Sequence, residues 1–280
     1  KNIFLEKTGE AEYSYQKLFK AFIVEKQKLL LSASEFRELY LNSSEILEEE
    51  KQIKNAIDLC IIIGAYDKAS DLLHKYFKEI ISEGYLTYCY ETVKILQEKY
   101  DNGNDNLNYV SCFLKVKYLS EISSAMETLD LYSFDSKLPE NPLFQGLLLL
   151  KAECKILVGD YDSAIFILKA MLSFVFPQNV LCEIYYQLGR AYLRKGPSFY
   201  QEAIDLLEEF LAEDSELISK EMTADILNIL GIIYFDSGNF LKAIFFFEKV
   251  LKLGCNLLKR SKSMDNLVIS FSKTAQYTKA

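Results

Sequence analysis

Over most of the chain, apolar residues return every three or four positions, and short polar or glycine-bearing breaks interrupt them. In residues 183–214, Ile184, Leu188, Ala191 and Tyr192 stand at i, i+4, i+7 and i+8, the spacing that lines up one face of an α-helix. Gly196 follows, where a helix ends most easily because glycine takes the left-handed conformation at no steric cost. Tyr200 lies in the connection, and Ala203, Leu206, Leu207 and Phe210 set out a second amphipathic helix. The small Ala203 lets the two helices approach closely. The pattern predicts antiparallel helical hairpins here and again over 146–172 and 223–253, where Gly231 is a further small contact. One such hairpin has too little apolar surface to stand alone, so hairpins must stack.

The breaks themselves form a comb. Gly159-Asp160-Tyr161-Asp162-Ser163-Ala164 has the same form as Gly64 to Ala69 and Gly238 to Ala243: glycine, an aromatic two places on, alanine three after that. The copy from Gly196 to Ala203 is stretched by two residues, Ala275 to Ala280 lacks the glycine, and Ser120 to Ala125 keeps only the final alanine. The closing alanines at 69, 125, 164, 203, 243 and 280 are spaced, after the first gap, by 39, 39, 40 and 37 residues. A period in the range of roughly 20–50 residues marks a repeat architecture. Residues 76–110 are expected to be irregular.

Leu188-Gly189, Tyr192, Gly196, Tyr200 and Ala203 resemble the tetratricopeptide pattern, as do Leu230-Gly231, Tyr234, Gly238, Phe240 and Ala243. The resemblance covers about residues 50–280 and implies an all-α, right-handed superhelix of antiparallel hairpins. The period exceeds that family's ~34 residues, so longer helices or wider loops are expected. The comb then serves the hairpin fold rather than chemistry.

Ile3-Phe4-Leu5, Thr8-Gly9-Glu10 and Tyr13-Ser14-Tyr15 read as two short strands around a glycine turn, followed by a helix through Leu18, Phe19, Phe22 and Ile23. A lone hairpin of this kind is marginal in water, so it is expected to be the last piece of a preceding module. Ala280 falls at an early second-helix position, which predicts a repeat array cut within a hairpin. The run Tyr13 to Ile23, with Phe4-Leu5, Glu38-Leu39-Tyr40, Ala56 to Leu59 and Asn141-Pro142, resembles the winged-helix end and following segment of the MalT-like signal-transduction ATPases, which activate bacterial transcription. That family often has histidine where this chain has Gln16, Tyr40 and Leu59. The resemblance implies a winged-helix tail over 1–25 and a helical array over 26–280, beside a nucleotide-binding module of the same protein. It also implies a superhelix concerned with sensing an inducer and controlling self-assembly.

Charge narrows the classes. A net charge of −8 argues against a nucleic-acid surface, which shows a basic stripe, and Lys259-Arg260-Ser261-Lys262 is expected to be a loop between hairpins. No P-loop sequence occurs, so this segment is expected to bind neither ATP nor specific DNA. No apolar run reaches the ~18 residues of a membrane span, and no signal peptide is legible, which points to the cytoplasm. Cys60, Cys89, Cys112, Cys154, Cys182 and Cys255 lack CxxC spacing and read as free buried thiols.

No cofactor and no catalytic constellation is expected. The sole histidine, His74, has no partners at metal-ligating spacing and no nucleophile-elbow sequence to serve. The runs Glu48-Glu49-Glu50 and Glu208-Glu209 read as solvated helix faces.

Recognition is therefore sought on a surface. In stacked hairpins the first helices line the concave side. Off the apolar stripe of those helices stand Glu183, Tyr186, Arg190 and Arg194, then Asp225, Asn228 and Asp236, and on the preceding one Glu153. Tyrosine, arginine and carboxylate together suit a small polar effector or an extended peptide, and the two guanidiniums one turn apart call for an anionic partner. The leading expectation is a non-catalytic sensor and interaction domain. The alternative is a tetratricopeptide scaffold for protein partners with no linked ATPase. Self-association is expected to be open to either.

Overall fold

The computed structural model describes residues 5–7, 13–15, 17–99, 104–132, 141–213 and 218–274. The chain divides into two compact units, Lys1–Val110 and Ser111–Ala280. In the first, strands β1 (Leu5–Lys7) and β2 (Tyr13–Tyr15) pair antiparallel, with Leu5 opposite Tyr15. Of the expected hairpin, Ile3, Phe4 and the turn at Gly9 lie outside the described residues. Helices α1 (Lys17–Leu30), α2 (Ala33–Glu49), α3 (Ile53–Ile62), α4 (Tyr66–Ser82), α5 (Leu86–Gln97) and most of α6 (Asp105–Leu114) complete the unit.

The second unit continues α6 through a π-helical turn, Lys115–Leu119, into α7 (Ile122–Leu129). Then come α8 (Pro142–Leu157), α9 (Tyr161–Met171), α10 (Gln178–Lys195), α11 (Tyr200–Glu213), α12 (Lys220–Asp236), α13 (Phe240–Lys252) and α14 (Leu257–Lys273). Side-chain caps start several of these helices: Ser32 and Glu35 form a reciprocal capping box, and Asn141, Ser219 and Asn256 accept from the backbone of the first turn.

The comb is a set of tight helix-to-helix turns. Gly64, Gly84, Gly159 and Gly238 all have positive φ. The amide after each donates to a carbonyl five residues back, as Asp160 does to Lys155, which satisfies carbonyls the ending helix leaves over. Five residues beyond the turn residue comes a fully buried small side chain: Ala69, Cys89, Ala164 or Ala243. Lys51 and Ser120 occupy the same left-handed position at φ 59° and 57°, and Ala56 and Ala125 follow them at the same distance, fully buried. Ser120 thus does the work of the glycine it replaces. In its turn the amide of Glu121 reaches back six residues, to Lys115, because the π-turn holds one more.

Two expectations change. The described part of 76–110 is regular helix, α4 and α5 joined at Gly84; cysteine at the alanine position hid this copy of the comb. Lys259 to Lys262 is not a loop but the first turns of α14, capped by Asn256. The last comb copy, Ala275 to Ala280, lies outside the described residues.

The larger core runs from α8 to α14. Within it, a Cβ on Gly231 would stand 2.4 Å from the ring of Phe247, itself fully buried. Gly189 faces the end of Leu207, at 2.8 Å from a Cβ.

Candidate functional site

The first helices of successive hairpins lie side by side: α8 packs on α10, α10 on α12, and α12 on α14. Their polar faces therefore form one row. The residues picked out on them fall into that row, and the chain pairs most of them internally.

At its centre is Glu153, whose side chain is nine-tenths buried. Both its oxygens accept from the Lys117 ammonium at 2.6 Å. Arg190 approaches the same carboxylate with Nη1 at 3.7 Å and donates at 2.9 Å to Gln187, which in turn donates to Glu183 at 2.8 Å. The Arg190 guanidinium also stands 5.5 Å from the Tyr186 ring centre, a cation–π contact. Burial, with Asp225, Glu183 and Glu153 nearby, raises the Tyr186 phenol, and Arg190 opposes the shift. On α12, Asp225 pairs with Lys259 of α14, which also donates to the Glu221 carbonyl at 2.7 Å, and Asn228 accepts from Asn266 at 3.2 Å.

The pattern is a ladder of alternating charge, Lys117, Glu153, Arg190, Asp225 and Lys259, with one rung per repeat. The anion Arg190 calls for comes from within the chain. Arg194 differs: it is exposed and forms no ion pair among the described residues. Asp236 is exposed too and accepts from Tyr200 at 3.3 Å. Sequence reasoning misses Lys117, which lies in the π-turn, and Lys259, which it places in a loop.

Other polar clusters are internal struts. Glu48 accepts from Lys75 at 2.8 Å and Tyr76 at 3.0 Å, and Glu208 accepts from Tyr234 at 3.0 Å. These runs are more than solvated faces. Burial, with the hydrogen bond that Tyr88 donates to Asp58 at 2.9 Å, pushes the Tyr88 phenol far up. His74 meets Tyr109 edge-on at 5.5 Å, and burial lowers its imidazole below the usual range. No group of three metal-ligating side chains forms among the described residues. All six cysteines are buried thiols outside any disulfide. A cleft of about 530 Å³ opens beside Tyr132, Leu148, Lys151, Lys155 and Phe166. No helix among the described residues is long and apolar enough to cross a membrane.

The family model of the Tetratricopeptide repeat matches residues 224–253, which hold most of α12 and α13. No curated protein matches the chain by sequence. Among solved structures, a signal transduction ATPase with numerous domains, with a tetratricopeptide repeat sensor, from Pyrococcus horikoshii is similar over 99% of this chain at 17% identity and a TM-score of 0.65. This chain spans 43% of that protein. A thermophilic tetratricopeptide repeat protein of Thermus thermophilus aligns with 71% of this chain and 99% of its own, at 14% identity and a TM-score of 0.53. PilW, a type IV pilus biogenesis factor, aligns with 77% of this chain and 92% of its own, at 14% identity and a TM-score of 0.55. Residues 224–253 thus match a tetratricopeptide repeat, and the fold is similar to that of tetratricopeptide repeat proteins.

Proposed function

We propose that this chain is the non-catalytic sensor and interaction region of a larger, MalT-like signal-transduction ATPase that regulates transcription. In this reading residues 1–25 are the tail of a winged-helix module, and 26–280 are a right-handed superhelical array that takes an effector or a peptide on its concave side. The observation that carries it is the row of first helices. Within two turns, α10 sets a half-buried tyrosine, a partly satisfied guanidinium and an exposed one on that row. Arg190 keeps donors to spare beyond Glu153 and Gln187, and the neighbouring Arg194 is exposed and forms no ion pair among the described residues. Together with Tyr186 they suit an anionic group joined to a flat or apolar body. The likeness to the Pyrococcus protein supports the fold this reading needs.

The second reading, a scaffold for protein partners with no ATPase attached, rests on the same row and on the fold shared with tetratricopeptide proteins outside that class. A thermal-shift screen of sugars, nucleotides, amino acids and acidic peptides separates the two. A ligand that binds only the folded chain stabilises it by RT ln(1 + [L]/Kd), about 2.7 kcal/mol at a hundredfold excess over Kd. A small-molecule response abolished by Arg190→Ala and by Arg194→Ala supports the sensor. A response to peptides alone supports the scaffold, and a shift that survives both substitutions removes the row from consideration.

A further inference from the structure

The two carboxylates that flank Arg190 in the ladder are each engaged by a lysine from another segment. Asp225 pairs with Lys259 of α14, and Glu153 with Lys117 of the π-turn. Glu153 shows how unevenly two cations can share one anion. Both its oxygens accept from the Lys117 ammonium at 2.6 Å, a short charge-assisted hydrogen bond, while Nη1 of Arg190 stops at 3.7 Å, beyond hydrogen-bonding distance. The carboxylate is nine-tenths buried, so the two cations, rather than water, compete for it.

The competition has a direction. α8, which carries Glu153, packs on both α7 and α10. Lys117 reaches the carboxylate from the segment just before α7, and Arg190 reaches it from α10. With the carboxylate held by the ammonium, Arg190 keeps one side-chain hydrogen bond among the described residues, to the neutral Gln187 at 2.9 Å. A fifth of its side-chain surface stays open.

We propose that Lys117 is the positioning residue of the recognition site on α10: by holding both oxygens of Glu153 it keeps the Arg190 guanidinium open to an anion from outside the chain. The inference rests on the reading of that row as a recognition surface. Without Lys117, Glu153 becomes a built-in ligand. A closure of about 1 Å brings it within hydrogen-bonding distance of Arg190, and the guanidinium is then filled from within. Lys117 touches no ligand in this account and acts only through the carboxylate it withholds.

Phenylglyoxal, which condenses with accessible guanidinium groups, tests this on the 280-residue chain. The rate at Arg190, read by peptide mass spectrometry, is divided by the rate at Arg194, an exposed arginine one turn further along α10 that takes no part in the pairing. Lys117→Met should lower that ratio roughly tenfold, because a charged hydrogen bond must open before the reagent can add. Lys117→Gln keeps one neutral donor on the carboxylate and disturbs the fold less, so it should lower the ratio by a smaller factor. Glu153→Gln should leave the ratio at the parent's value or above it. Lys117→Met/Glu153→Leu should restore it, since no carboxylate is left to capture Arg190. A merely structural role for Lys117 would loosen its surroundings and raise the rate at Arg190 in the lysine variants. That result overturns the proposal, as does an unchanged ratio in Lys117→Gln with native circular dichroism, or a double variant as slow as Lys117→Met. The reagent reads the guanidinium and needs no effector, so a silent effector screen and a failed outcome here are distinct results.

Discussion

Glu153 offers the sharpest test of how the row is held together, because removing its charge and removing its partner should have unequal costs. The carboxylate is nine-tenths buried and accepts twice from Lys117, whose own side chain is about one-third exposed. Glu153→Gln keeps the shape and deletes the charge, leaving Lys117 and Arg190 as near cations. Lys117 can swing its ammonium into water, so the loss is that of a charged hydrogen bond eased by solvent, about 1.5–2.5 kcal/mol. Lys117→Met instead strands a buried carboxylate whose nearest cation is Arg190 at 3.7 Å, too far for a full hydrogen bond. Breaking a buried pair from this side costs about 3–5 kcal/mol. The double variant Lys117→Met/Glu153→Leu has nothing left to desolvate and should return to within about 1 kcal/mol of the parent. Urea unfolding followed by far-ultraviolet circular dichroism gives each value by linear extrapolation. If Glu153→Gln proves costlier than Lys117→Met, the carboxylate is not the buried, dependent partner, and the account of the ladder fails.

Other expectations follow from particular contacts. Gly231→Ala should destabilise by about 1–2 kcal/mol, since the rigid, buried ring of Phe247 outweighs the helix-propensity gain, whereas Gly189→Ala, facing the flexible tip of Leu207 and, at 3.4 Å, a methyl of Ile229, should fall within about 1 kcal/mol of the parent in the same assay. Ser120→Gly and Lys51→Gly should each stabilise by about 0.5–1 kcal/mol by relieving left-handed strain, and their effects should add, because they lie in different units. Burial pushes the thiols of Cys89 and Cys112 up to about 11 and that of Cys154 up to about 12, so a thiol reagent at neutral pH should label none of the six until denaturant is added. The same shifts make a pH prediction. Folding favours the neutral thiol, so this stability is complete below the unfolded value of about 8.5 and fades as pH climbs through 11–12, measurable as a melting temperature falling on the alkaline side.

Much of the fold was legible because helical periodicity and the comb report the same physics. Apolar residues at 3.6-residue spacing must face a neighbour, and the closing alanine must be small because helices cross there. The copies that escaped notice show the limit of reading by residue type. Lys51 and Ser120 adopt the left-handed turn without being glycine, and Cys89 is nearly as small as the alanine it replaces. The turn selects a backbone conformation and a volume, and letters track those only loosely. The Lys259 segment was misread for a related reason: a basic run looks like solvent, but Asn256 caps it and Asp225 draws the first lysine inward. Within the row, periodicity picks out Glu153, Tyr186, Arg190 and Asp225 as off-stripe positions. It could not show that Glu153 is buried, because its cation comes from a segment outside the helical period.

That segment, the π-turn at Lys115–Leu119, makes the ladder's phase depend on one surplus residue. Deleting a single amino acid there would restore the five-residue reach of the other turns. It would also rotate one side of the helix by about 100° relative to the other. Lys117 would leave Glu153, and the buried carboxylate would lose its counter-ion without any change at position 153 or 117 in kind. A one-codon change in length, silent to any count of charges, can therefore unseat the rung on which Arg190 rests. Relatives that lack the surplus residue should carry a different side chain where this chain has Glu153.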